Sequence, residues 1–84
     1  MKVKMYAVMD VKMGMYQQPF FQANNLTALR TFEDNIQEPN SRFAKHAEDY
    51  RLYEIGEFDD ETGELRSVEN KPVLLAEALE YIKR

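Results

Sequence analysis

From Val3 to Val11 apolar side chains fall at every second position: Val3, Met5, Ala7, Met9 and Val11, interleaved with Lys2, Lys4, Tyr6, Val8, Asp10 and Lys12. A two-residue period is that of a strand with one buried face. Met1, Met5, Met9 and Met13 also recur at a helical spacing, but three valines and a tyrosine in nine positions favour a pleated backbone, and Gly14 ends the run. The alternation predicts Val3, Met5, Ala7 and Met9 toward the core, with Lys2, Lys4, Tyr6 and Lys12 sharing the face toward water.

The rest of the chain is punctuated by turn and cap signals. Pro19 cannot donate to a ladder, so Pro19 to Ala23 reads as a short strand starting at a proline and paired back on the first. Asn24 and Asn25 offer N-cap side chains, and Ala28, Leu29, Phe32 and Ile36 form the apolar stripe of a helix that stops before Pro39. Pro39-Asn40-Ser41 reads as loop. Tyr50 to Phe58 is dense in strand formers, and because Leu52 and Tyr53 point to opposite faces it reads as an interior strand. Asp59 to Gly63 is a hairpin loop with Gly63 supplying positive φ, and Glu64 to Val68 returns beside it. Pro72 suits a first helical turn, Leu75, Ala78, Leu79 and Ile82 make the stripe of a C-terminal helix, and Lys83 and Arg84 fall at the negative end of its dipole. The predicted order is ββαββα: an α+β fold with a small mixed or antiparallel sheet of three to four strands and two helices. One domain over residues 1–84 is expected, since a chain this short buries only roughly 60–65% of its unfolded surface.

Composition narrows the setting. There is no cysteine, so disulfides and thiolate metal sites are excluded, and an intracellular home fits better than secretion. No apolar stretch approaches the length of a bilayer span, the longest being of the kind Val73-Leu74-Leu75-Ala76, and no signal-peptide core follows Met1, Lys2 and Lys4. No membrane association is expected. Net charge is −4, but Lys2, Lys4, Lys12 and Arg30 stand against Asp10 alone in the first third, whereas eight acids face Arg51 alone between Glu48 and Glu64.

Catalytic chemistry finds little support. His46, the single histidine, has Glu48 and Asp49 beside it as an acid/base pair or as a loop histidine shaping the approach to the strand; a histidine metal site would need carboxylates for every other ligand. The acids Asp59, Asp60, Glu61 and Glu64 lack the ligand order of an EF-hand, and a solvated turn is the simpler reading. Gly14, Gly56 and Gly63 are isolated, so there is no phosphate loop. The expectation is no enzyme, no metal and no cofactor. The most suggestive set is Lys2, Lys4, Tyr6 and Lys12 on one strand face with Tyr16, Phe20 and Phe21 on the neighbouring run. Cations tracking phosphates beside aromatics that stack on bases are the parts of a sequence-tolerant single-strand binder. The plainer reading gives the lysines a solvated outer face and the phenylalanines a core.

Tyr16, Pro19-Phe20-Phe21, Ala28, Arg30, Phe32, His46, Glu48-Asp49-Tyr50, Leu52, Glu54-Ile55-Gly56 and Phe58-Asp59 together resemble the small nonstructural protein of gokushovirus-type microviruses, phages with single-stranded DNA genomes. The likeness runs from about Tyr6 to Gly63 and is most specific from His46 to Asp59; Ala47 stands where that family usually has proline. The resemblance implies a nonstructural protein in the host bacterial cytoplasm, acting in genome synthesis or packaging through DNA binding. On it, Arg30 and Pro19-Phe20-Phe21 join the candidates. Two expectations follow. In one, single-stranded DNA is bound by Lys2, Lys4, Lys12 and Arg30 at phosphates and by Tyr6, Tyr16 or Phe21 at bases. In the other, a non-enzymatic adaptor or homodimer uses Glu57, Asp59, Asp60, Glu61 and Glu64 to dock on a basic viral or host replication protein. The first depends on the opening strand turning its ammonium groups to water.

Overall fold

The computed structural model describes residues 1–68 and 70–82. Its spine is one long antiparallel pairing. Strand β1 (Lys2–Asp10) runs against β4 (Tyr50–Asp59) over its whole length, from Lys2 opposite Asp59 to Asp10 opposite Tyr50. Every other strand is a short addition to an outer edge of this pair. On β1 lie β2 (Met15–Tyr16) and β3 (Phe20–Gln22); on β4 lie β5 (Leu65–Ser67) and β6 (Val73–Glu77). All the pairings are antiparallel. The molecule is elongated, 44 × 23 × 17 Å.

One side of the sheet is covered. Helix α1 (Asn25–Gln37) is capped by Asn24, whose side chain accepts the Thr27 backbone N–H at 2.9 Å, and it ends before Pro39. It buries Ala28, Phe32 and Ile36 against Tyr6, Val8, Tyr50, Leu52, Ala76 and Ala78. A short helix α2 (Arg42–Lys45), capped by Ser41, and a 3₁₀ turn at Ala47–Asp49 close one end of this layer. A second 3₁₀ turn at Ala78–Tyr81 sets the Tyr81 ring edge-on against Phe32 and its carbonyl under the Gln37 amide, which donates to it at 2.7 Å.

Two expectations are corrected. The sheet has six strands rather than three to four, and α1 is the one substantial helix, so the order is not ββαββα. The expected C-terminal helix is β6 followed by a 3₁₀ turn. β4 is an interior strand with a second edge to satisfy, and Val73-Leu74-Leu75-Ala76 hydrogen-bonds along it, with Pro72 tolerated just before the strand begins. A bulge at Leu75, between the Leu52–Ala76 and Tyr53–Leu74 pairs, leaves Leu75 against the core; Ala78 is buried and Ile82 half-buried, but Leu79, expected on the same stripe, is exposed. Lys83 and Arg84 lie outside the described residues.

The second correction concerns faces. The middle of β1 is apolar on both sides: Tyr6, Ala7 and Val8 are all buried. α1 covers the side carrying Tyr6 and Val8, not the side carrying Met5, Ala7 and Met9. Tyr6 can be taken under the helix because its hydroxyl donates to Asn25 Oδ1 at 2.6 Å and its ring stacks on Phe20. Alternation fixes which residues share a face; it does not choose the face a helix lands on when both are apolar.

Two stability outcomes follow. Phe32→Ala, at the centre of the covered layer, is expected to cost about 3–5 kcal/mol in denaturant unfolding. A Cβ at Gly56 would stand 2.5 Å from the Arg66 carbonyl oxygen, so Gly56→Ala must push β5 away. Hydrogen exchange of the Leu65–Ser67 amides should accelerate in that variant while the α1 amides stay protected.

Candidate functional site

The side of the sheet that α1 leaves uncovered gathers apolar and aromatic side chains. Register places Val3, Met5, Ala7 and Met9 of β1 on it, together with Tyr16 opposite Met9, Phe21 opposite Met5, Tyr53 opposite Ala7 and Phe58 opposite Val3. Leu65 beside Phe58 and Leu74 beside Tyr53 extend it onto the outer strands. Two aromatic pairs bracket β1: Tyr16 meets Tyr53 edge-on with centroids 5.5 Å apart, and Phe21 meets Phe58 at 6.0 Å. Phe21, Tyr16, Leu65 and Leu74 remain 48, 43, 62 and 47% exposed. At the tyrosine end a shallow groove of about 620 Å³ is lined by Tyr16, Tyr53, Lys71, Pro72, Val73 and Leu74.

Charge is nearly absent from this face. Among the described residues its one ion pair joins Arg51, beside Met9, to Glu77, with Arg51 Nε 3.1 Å from Glu77 Oε1. That contact is too bent for a directed hydrogen bond, which leaves the buried Nε with an ionic partner but no hydrogen-bond acceptor. Depletion of charge with Tyr, Phe and Met concentrated at the centre is the composition of a protein interface core.

The residues expected at phosphates and bases do not form one surface. Lys2 and Lys4 project on the helix side, beyond the end of the covered layer. Lys2 Nζ is 3.7 Å from Glu57 and Lys4 Nζ 3.5 Å from Glu54, so each ammonium already has a carboxylate. Tyr6 is fully buried beneath α1, Arg30 is exposed on α1 itself, and Lys12 stands in the turn between β1 and β2. Only Tyr16 and Phe21 reach the open face, and they do so beside Tyr53 and Phe58, which sequence reasoning had not singled out. The signal for Tyr53 was present, since it alternates with Leu52, but its neighbours across β1 become visible only once register is known.

The acidic hairpin is partly neutralised from within the chain. The Met1 ammonium lies 2.8 Å from Asp60, 2.9 Å from Glu61 and 3.9 Å from Asp59. Those acids raise its pKa, and the Asp59 carboxyl is held below its ordinary range, chiefly by the Glu61 backbone N–H that donates to it. Glu57 pairs with Lys2, and Glu64 with Arg66 at 3.1 Å. Exposed pairs of this kind stabilise little, but they reduce the free negative field the hairpin can offer to a basic partner. His46, Glu48 and Asp49 bring their ligand atoms within 4.8 Å of one another at the surface. The turn is held by backbone bonds, Asp49 N–H to the His46 carbonyl and Val11 N–H to the Asp49 carbonyl, and three donors fall one short of a structural zinc set.

Taken together, these features define a small, mostly-sheet protein in two layers, with one substantial helix on one side of a six-stranded antiparallel sheet and a bare aromatic face on the other. Comparison with known proteins places it further. The family described as Phage ORF5 protein matches residues 3–81, and the chain belongs to that family; it is a phage protein. No curated protein and no solved structure matches it. Among the described residues no helix is long and apolar enough to cross a membrane.

Tyr6 supplies a pH-dependent readout of the covered layer. Burial, helped by the Glu54 carboxylate, pushes its phenol up to about 12 from an ordinary 10.0. A raised folded-state pKa means that the native protein holds the proton more tightly than the unfolded chain. The associated stability is present below pH 10 and lost as pH rises toward 12. Alkaline denaturation midpoints should fall across that window, and in Tyr6→Phe the part of the fall due to this group should vanish.

Proposed function

We propose that this phage protein is a non-enzymatic interaction module whose working surface is the open face of the sheet, where it docks a protein partner. The observation that carries the reading is the row of Tyr16, Phe21, Tyr53, Phe58, Leu65 and Leu74 left without a covering layer in a chain otherwise able to bury its aromatics. Exposed apolar patches of this extent are characteristic of interaction sites. The reading keeps the docking role expected from sequence and moves its location from the acidic hairpin to the sheet. The double variant Phe21→Glu, Leu74→Glu is expected to retain the far-UV spectrum of the wild type and to abolish phage yield when carried in the phage that encodes the protein. Reversing Asp59, Asp60 and Glu61 to lysine should leave yield within a few-fold of normal. Normal yield from the first variant, or collapse of yield with the second alone, overturns the proposal.

A second reading, single-stranded DNA binding in genome synthesis or packaging, is favoured by one local arrangement: the groove in which Tyr16 and Tyr53 stand beside Lys71. Two rings able to stack on bases next to a cation are the minimal elements of such a site. The resemblance to proteins of single-stranded DNA phages points the same way, whereas the pairing of Lys2 and Lys4 and the net charge of −4 weigh against it. On this reading labelled oligothymidine binds at low salt, and Tyr16→Ala with Lys71→Glu removes binding. Absence of low-salt binding by the wild type ends it.

A further inference from the structure

The docking reading leaves open what lies on the face, and the following rests on that reading. We propose that the occupant is a second copy of this chain. The two sheets pack face to face about a two-fold axis that runs across the strands, so that Phe21, Phe58 and Leu65 of each copy lie against the Tyr16–Tyr53–Leu74 groove of the other.

Area gives the first argument. A folded monomer of 9.9 kDa is expected to expose about 5,200 Å². This chain exposes 5959 Å², an excess of roughly 750 Å². One partner's share of a standard stable interface is about 800 Å². The surplus is therefore of the size that a single dimer contact removes.

Shape and charge choose the partner and its orientation. The two ends of the face are unlike: exposed Phe21 and Leu65 stand at one, the groove opens at the other, and Ala7, only 1% exposed, forms the low ground between. A two-fold across the strands brings unlike ends together twice, as an isologous contact requires. Aligned sheets then meet at about 10 Å with side chains interdigitated. The same operation carries the two acidic hairpins, residues 59–63, to opposite ends of the dimer. A two-fold along the strands would instead stack acidic hairpin on acidic hairpin. Arg51 and Glu77 are paired within the chain, so apart from Lys71 at the groove the described residues of the face offer little charge to select an acidic or basic stranger.

Sedimentation equilibrium of the full chain tests this. The wild type should weigh twice 9.9 kDa at micromolar concentration. Leu65→Glu and Leu74→Lys should each be monomeric with unchanged far-UV spectra. An equimolar mixture of the two should recover the dimer, because a heterodimer gains one Glu–Lys contact and keeps one native Leu65–Leu74 contact. A monomeric wild type overturns the inference. So does a dimer that survives both single variants, or a mixture that stays monomeric. If the wild type is monomeric yet the Phe21→Glu, Leu74→Glu phage is still dead, the face serves another partner and only the second-copy assignment fails. If that phage is also viable, the docking reading fails with it. Oligothymidine binding by a monomeric wild type would assign the face to nucleic acid.

Discussion

The antiparallel pairing of β1 with β4 is the constraint on which everything else depends. It joins the first ten residues to a segment some fifty positions later, and all four remaining strands are too short to exist without the edges it offers. Two- and three-residue strands such as β2, β3 and β5 have no independent stability; they are satisfied edge groups. α1 finds a surface only because the pairing brings Tyr6 and Val8 next to Leu52 and Glu54. A bulge at Ile55, between the Tyr6–Glu54 and Met5–Gly56 pairs, is what lets two strands of unequal length remain in register from end to end.

Much of this was legible in sequence, and the failures have identifiable causes. The opening strand, the Asn24-capped helix, the interior strand from Tyr50 and the Gly63 turn all carried local signals strong enough to survive tertiary context, and Gly63 indeed has φ of 76°. The C-terminal segment failed because Leu75, Ala78 and Ile82 are spaced for a helix, while the decisive fact, an unsatisfied second edge on β4, is non-local. Ion pairing was equally invisible: that Lys4 meets Glu54 and Lys2 meets Glu57 depends on register, and a residue scan counts those lysines as free.

The most instructive miss is the face of β1. Val3, Met5, Ala7 and Met9 look like a core stripe and Tyr6 like an outer residue, yet the helix sits on Tyr6. The stripe was correctly perceived as apolar and wrongly assigned to this molecule's own interior. In this phage protein of 84 residues the covered core is small, four alanines with Tyr6, Val8, Phe32, Ile36, Tyr50 and Leu52, while Phe21, Leu65 and Leu74 stay exposed on the other side of the sheet.

The division of labour along β4 has a mechanical consequence. Its outer edge is shared by β5 and β6, which reach it from different parts of the chain and grip opposite ends of it. β6 leads straight into the 3₁₀ turn that seals the helical layer, so loosening it disturbs Phe32 and Tyr81. β5 touches no such seal, and all three of its residues are exposed. The sheet therefore has a stiff end and a soft end on one continuous beam. At the soft end β5, with Leu65, can fray and re-form while β6 keeps its hold on the core.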